Sequence, residues 1–210
     1  IMKKKLLSLV LAGAMVASTS VSAFAANVTG PDNVDGSAQI GITGKVLNDS
    51  DEEPVGKFNV TIPTTASFTV QADGTFVAPG AITVRNDGDQ NIDVFAASFV
   101  DTNPGAGIKV VAENTLKTAD RTNVSLKIFG NMGTVFLGSE AGDSNGLYSN
   151  SSLTQHTGTF QIANVPSGES KDLTLSGMAG ENDESLADSV KESGVSNNFT
   201  LTLKIKKSAK

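Results

Sequence analysis

Carboxylates are the only abundant side chains in this sequence that could hold a metal or move a proton, and two places crowd them. Asp49, Asp51, Glu52 and Glu53 share one loop, and Asp87 and Asp89 flank Gly88 in the turn NDGDQN. Calcium takes about six to eight oxygens, often from clustered acids. Asp49, Asp51, Asp87 and Asp89 are therefore the candidate calcium ligands. Neither cluster has EF-hand spacing, and Asp and Asn also favour turns because they bond their own backbone. Turn formation and solvation are the expected roles, with no cofactor required.

Other chemistry is sparse. His156 is the sole histidine, so a His-pair metal site or a Ser-His-Asp set cannot be built without unusual partners. It is expected in a solvated loop. The absence of cysteine excludes thiolate catalysis and Cys-ligated zinc. No GxGxxG opens a helix after a strand, and there is no P-loop. A glycosidase needs two facing carboxylates, and the aromatic platforms that usually line saccharide clefts are not visible. The chain is read as not an enzyme.

The elements that would position any site are strands. In KFNVTIPTTASFTV, Phe58, Val60 and Ile62 alternate with Asn59 and Thr61, and Phe68 and Val70 resume the alternation after Pro63. In NNFTLTLKIKK, Phe199, Leu201, Leu203 and Ile205 share one face. NVSLKIF alternates Val124, Leu126 and Ile128. IDVFAASFV fits a strand buried on both faces or one carrying a bulge. Residues 181–192, ENDESLADSVKE, are the one helix candidate, with Leu186 and Val190 four apart. About ten short strands between turn signals, plus one short helix, predict an all-β antiparallel sandwich of jelly-roll kind.

The opening residues read as an address. Lys3–Lys5, an apolar run from Leu6 to about Ala17 and Ala23-Phe24-Ala25 form a secretory signal peptide over 1–25. The run is shorter than the roughly 20 residues a membrane span needs, so no span is expected after cleavage. The Gly-, Pro-, Asn- and Asp-rich stretch 26–38 reads as a flexible arm, and 39–210 as one sandwich domain. Without Lys3–Lys5, the only charged residues in the first 25, the formal charge goes from −6 to −9. That acidity argues against nucleic acid as a partner. The protein is expected to be extracellular and associated with a cell surface. LTLKIKKSAK holds no LPxTG-type motif, so covalent wall anchoring by that route is not expected.

The run KFNVTIPTTASFTV followed by AITVRNDGDQNIDVFAASF resembles secreted surface proteins of Gram-positive bacteria, of the WxL type and of the camelysin/TasA-like biofilm-fibre type. The resemblance covers about residues 57–100. It implies a sandwich fold and an envelope or fibre role. With no tryptophan there is no WxL motif, so that family's wall binding does not carry over, and nothing supports a protease centre.

Two functions follow as expectations. The first is a non-catalytic structural or adhesive surface protein, a fibre subunit that assembles by strand addition. QIGITGKV would be the exchanged strand, with Ile40, Ile42 and Val46 on its apolar face. Its partners would be further copies of itself or a cell-wall polymer. The alternative is a module that binds wall or host glycans, calcium-dependent in one version. For QIGITGKV, the competing reading is the first strand of its own sandwich.

Overall fold

The computed structural model describes residues 25–31, 36–40, 57–138 and 145–208. The signal peptide falls outside them except for Ala25. The strands in chain order are β1 (Ala25–Pro31), β2 (Gly36–Ile40), β3 (Lys57–Pro63), β4 (Thr69–Val70) and β5 (Phe76–Val77). Then come β6 (Ile82–Asn86), β7 (Ile92–Asp101), β8 (Lys109–Val110), β9 (Asn123–Phe129) and β10 (Thr134–Leu137). β11 (Leu147–Tyr148), β12 (Phe160–Val165), β13 (Ser170–Ala179) and β14 (Phe199–Lys207) complete the set. A 3-10 helix, Glu113–Thr118, and a short α-helix, α1 (Asp188–Ser193), are the helical elements among the described residues.

The strands form two main sheets. The larger runs β1-β3-β6-β13-β9-β10-β11, with β8 joined in parallel to the start of β9. The smaller runs β12-β7-β14-β2. All pairings but that of β8 are antiparallel. The core lies between the sheets. Val60, Ile62, Ile82, Val84, Val124, Leu126, Ile128 and Leu173 face it from the larger sheet. Ile92, Val94, Ala96, Leu201, Leu203 and Ile205 face it from the smaller one. This all-β antiparallel arrangement is the one the alternation predicts, because a period of two puts every second side chain on the buried face.

Two bulges decide parity at the centre of the smaller sheet. Thr202 and Leu203 of β14 oppose Ser98 and Ala96 of β7, so Ala97 is an extra residue. Gln161 and Ala163 of β12 oppose Phe95 and Val94, so Ile162 is another. A bulge puts two residues opposite one and resets the alternation. Ile92, Val94 and Ala96 therefore point inward before the first bulge, and Phe99 points inward after it. Of the two readings open for IDVFAASFV, the bulge is the one realised.

The 18 residues between β3 and β6 make an excursion. Its hairpin, β4-β5, is a separate two-stranded sheet that turns at Gly74, whose φ of 82° suits glycine. Thr75 donates its backbone N–H to Asp73 Oδ1 at 2.9 Å, which holds that carboxyl below the usual carboxylate range. Phe68 and Phe76 stack at 5.2 Å between ring centres, Phe68 on Phe199 at 6.3 Å, and Phe199 on Phe99 at 5.4 Å. The four rings fasten the hairpin to the core. Arg121 ties it from outside, donating to the Ala72 carbonyl and pairing with Asp183 at 3.0 Å.

Two local expectations differ. The helix occupies only Asp188–Ser193, not 181–192. Residues 182–186 are drawn into turns, with the Glu184 N–H on Asn182 Oδ1 and the Leu186 N–H on the Asp183 carbonyl. The N-cap is Ala187, which offers no side-chain bond, and Gly194 ends the helix. Within 26–38, where composition suggests a free arm, β1 and most of β2 are found instead. β1 pairs with β3 from Ala25↔Pro63 to Pro31↔Lys57, and β2 pairs with β14 from Gly36↔Ile205 to Ile40↔Leu201. Pairing at a sheet edge is made by the main chain, and turn-rich composition does not forbid it.

Candidate functional site

The acidic turn is part of the fold's framework. Asp87 accepts the Arg85 Nε–H at 2.6 Å, and Asn86 Oδ1 accepts the Gly88 N–H at 3.0 Å. Ser167 Oγ donates to the Gly88 carbonyl at 2.7 Å, which pins the turn to the 166–169 turn. Among the described residues no group of three or more His, Cys, Asp or Glu could hold a metal ion. Asp49 and Asp51 lie outside the described residues.

The Arg85–Asp87 pair is exposed, at 55% and 32% of the side chains' free area. Pairs of that kind contribute about 0.2–1 kcal/mol. Asp87→Ala should therefore lower the melting temperature by no more than roughly 4 °C. Calorimetry in excess calcium and in chelator should give the same shift. A calcium-dependent rise in the parent that Asp87→Ala abolishes would make the turn a metal site.

His156 sits in a loop with Nε2 3.4 Å from the Thr159 carbonyl oxygen and its ring edge-on to Phe160 at 4.9 Å. No acid–base partner accompanies it in these contacts. Of the proposed exchange strand, Ile40 ends β2 opposite Leu201. Ile42 and Val46 fall outside the described residues.

The N-terminal strands stand out by position. β1 is one edge of the larger sheet, whose other end is β11, and β2 is one edge of the smaller sheet, whose other end is β12. One stretch of sixteen residues, 25–40, thus closes an edge of each sheet. Beneath it, β3 and β14 are alternating apolar strands whose inner side chains are buried.

A second feature lies on the outer face of the larger sheet. Val124, Leu126 and Ile128 of β9 and Val135 and Leu137 of β10 point into the core. By alternation Ser125, Lys127 and Phe136 point outward. In register, Met178 opposes Ser125, Ser176 opposes Lys127, and Lys127 opposes Phe136. Glu113, at the start of the 3-10 helix, reaches the same place. Together these residues line a recess of about 160 Å³. A more open one of about 340 Å³ adjoins it across Gly177 and Met178 and is lined by Gly74, Phe76, Ala179 and Glu181.

The polar groups of the first recess are varied. Lys127 Nζ stands 6.0 Å from the centre of the Phe136 ring, and Met178 is 46% exposed. Ser125 is only 8% exposed and lines the recess. Sequence reasoning missed this assembly. NVSLKIF does place Ser125 and Lys127 on the outer face, but nothing local brings Phe136, Ser176 and Glu113 beside them.

No family model matches the chain, and neither the curated proteins nor the solved structures give a match.

Proposed function

We propose that this protein is a secreted, non-catalytic component of a bacterial cell surface, a subunit that joins its own copies by strand addition. The observation that carries the reading is that one N-terminal segment, 25–40, forms an edge strand of both sheets. Edge pairing rests on main-chain hydrogen bonds that any extended segment can make, while alternate side chains set register. A segment that leaves its own sheets exposes the edges of β3 and β14, and the same segment of a second copy fits them. Such a head-to-tail contact does not close on itself and gives a filament. The signal-peptide pattern at 1–25 and the resemblance over 57–100 support an extracellular place for it. No helix among the described residues is long and apolar enough to cross a membrane.

Negative-stain electron microscopy of residues 26–210, concentrated near neutral pH, tests this. Regular filaments are expected. Deleting residues 26–40 should abolish them, and excess peptide 26–40 added to the parent should shorten them. Dispersed particles at every concentration, with a deletion variant of identical size distribution, would sink the reading.

A further inference from the structure

β13 changes partner halfway along. Ser170–Leu173 pair with β6, and Thr174–Ala179 pair with β9. The bonds at its two ends give the parity. Glu169 accepts the Asn86 N–H, so odd-numbered residues turn their main chain toward β6. Gly180 donates to the Asn123 carbonyl, so even-numbered residues turn theirs toward β9. The N–H and C=O groups of Leu175, Gly177 and Ala179 therefore point to the side that β6 has left. Among the described residues no strand pairs with them there. β6 begins only at Ile82, opposite Leu173, and Pro79 just upstream has no N–H to give a ladder. The more open recess, about 340 Å³, lies along this edge, between Gly177, Met178 and Ala179 and the hairpin residues Gly74 and Phe76. Phe76 supplies apolar surface, and Glu181 stands past Ala179.

We propose that this edge binds one extended peptide segment of another protein, antiparallel to β13 and in line with β6, with lysine or arginine at its N-terminal end. Three features select that ligand. Donors and acceptors at every second residue of a strand are matched by another main chain at the same spacing. Leu175 and Ala179 turn their side chains to the core. Residues opposite them and opposite Gly177 point the same way, so the segment carries apolar residues at alternate positions, one of them beside Phe76. In an antiparallel pair its N-terminal end lies past Ala179, where the Glu181 carboxylate complements a cation. The recess, bounded by the hairpin, has room for a single chain, whereas a folded edge strand of a second copy brings its sheet with it. This inference does not rest on the filament reading.

The test is amide hydrogen exchange and NMR titration of dilute, folded residues 26–210. In the free protein the amides of Leu175, Gly177 and Ala179 should exchange faster than those of Thr174, Ser176 and Met178. The probe is a capped peptide, KTVTVTV, which sets its lysine opposite Glu181 and its valines opposite the three open residues. It should give saturable shifts at those three amides and slow their exchange, with a dissociation constant on the order of 1 mM. The same peptide N-methylated at its valines, whose N–H groups face β13, should not bind. Glu181→Gln, shown to be folded by its amide dispersion, should bind the parent peptide about twofold to fivefold more weakly. Three open amides already as protected as their neighbours, no saturable shift at them up to about 20 mM peptide, equal binding of the N-methylated peptide or undiminished binding by Glu181→Gln would each overturn the proposal. Protection of those amides that grows with protein concentration, without peptide, would give the edge to a second copy and overturn it too. The titration needs no filaments, so its failure and that of the assembly reading are separate results.

Discussion

Replacing Asn86 by leucine should destabilise the protein by about 3 kcal/mol, because three buried or half-buried groups lose their partner at once. Asn86 is fully buried at the end of β6. Its Nδ2 donates to the Gln90 carbonyl at 2.7 Å and to the Val165 carbonyl at 3.0 Å, and its Oδ1 accepts the Gly88 N–H at 3.0 Å. Its backbone bonds the 166–169 turn through the Glu169 carbonyl and the Gly168 N–H. One side chain thus joins the larger sheet to β12 of the smaller one and shapes the 86–91 turn. Leucine matches the volume and none of the bonds. The loss is a sizeable part of the roughly 5–15 kcal/mol that holds a typical domain.

The Asn86→Asp variant gives a sharper version. Aspartate keeps the acceptor but points a negative charge at two carbonyl oxygens. Burial and those carbonyls favour the neutral carboxyl, so its folded pKa lies above its unfolded value. The penalty is then largest above the folded pKa and shrinks as pH falls toward the ordinary carboxylate range. Urea unfolding of Asn86→Asp at pH 7 and at pH 4, each set against the parent at the same pH, should show the larger deficit at pH 7. Equal deficits at both pH values would mean that the side chain is not buried among those carbonyls.

Phe199→Ala should be nearly as costly in total, about 2–4 kcal/mol, but the damage should be concentrated in one place. Phe199 is the ring that connects the β4-β5 hairpin to the smaller sheet, stacking on Phe68 on one side and Phe99 on the other. Its removal leaves a void and also undocks the hairpin, which has only two residues in each strand to hold itself together. Hydrogen exchange should show faster exchange over residues 68–77, beyond the change expected from global destabilisation. Leu203→Ala, in the same strand and fully buried, should lower global stability without that local excess. If exchange over 68–77 rises equally in both variants, the stacked rings do not anchor the hairpin.

The sequence alone determined the class of fold, and the reason is physical. Leu201, Leu203 and Ile205, like Val124, Leu126 and Ile128, alternate with polar residues, and every one of the six is buried. A strand's period is set by its own backbone, so the inward face can be read without knowing what covers it. NDGDQN was legible as a turn for the same local reason, but it reads as the turn of a hairpin, and the strands it joins, β6 and β7, do not pair: they enter different sheets. The excluded chemistries, thiolate and paired-histidine sites, followed from which residue types are present.

What depended on partners far along the chain was decided by tertiary structure. β1 and β2 are extended because β3 and β14 offer them edges, against what their turn-rich composition suggests. The bulge at Ala97 was one of two readings that IDVFAASFV left open, and the register of β7 against β14 decided between them; the bulge at Ile162 exists only as a mismatch of register between β12 and β7. The 3-10 helix at 113–118 packs Leu116 beneath it and was not legible in ENTLKT. The helix of 181–192 lost its first half to bonds made by Asn182 and Asp183. Asn86 looks like any turn asparagine until Val165, 79 residues later, supplies a carbonyl. The recess is the fullest case. Its lining comes from Glu113, β9, β10 and β13, and only the register of three strands brings a serine hydroxyl, a phenyl ring and a carboxylate to one place.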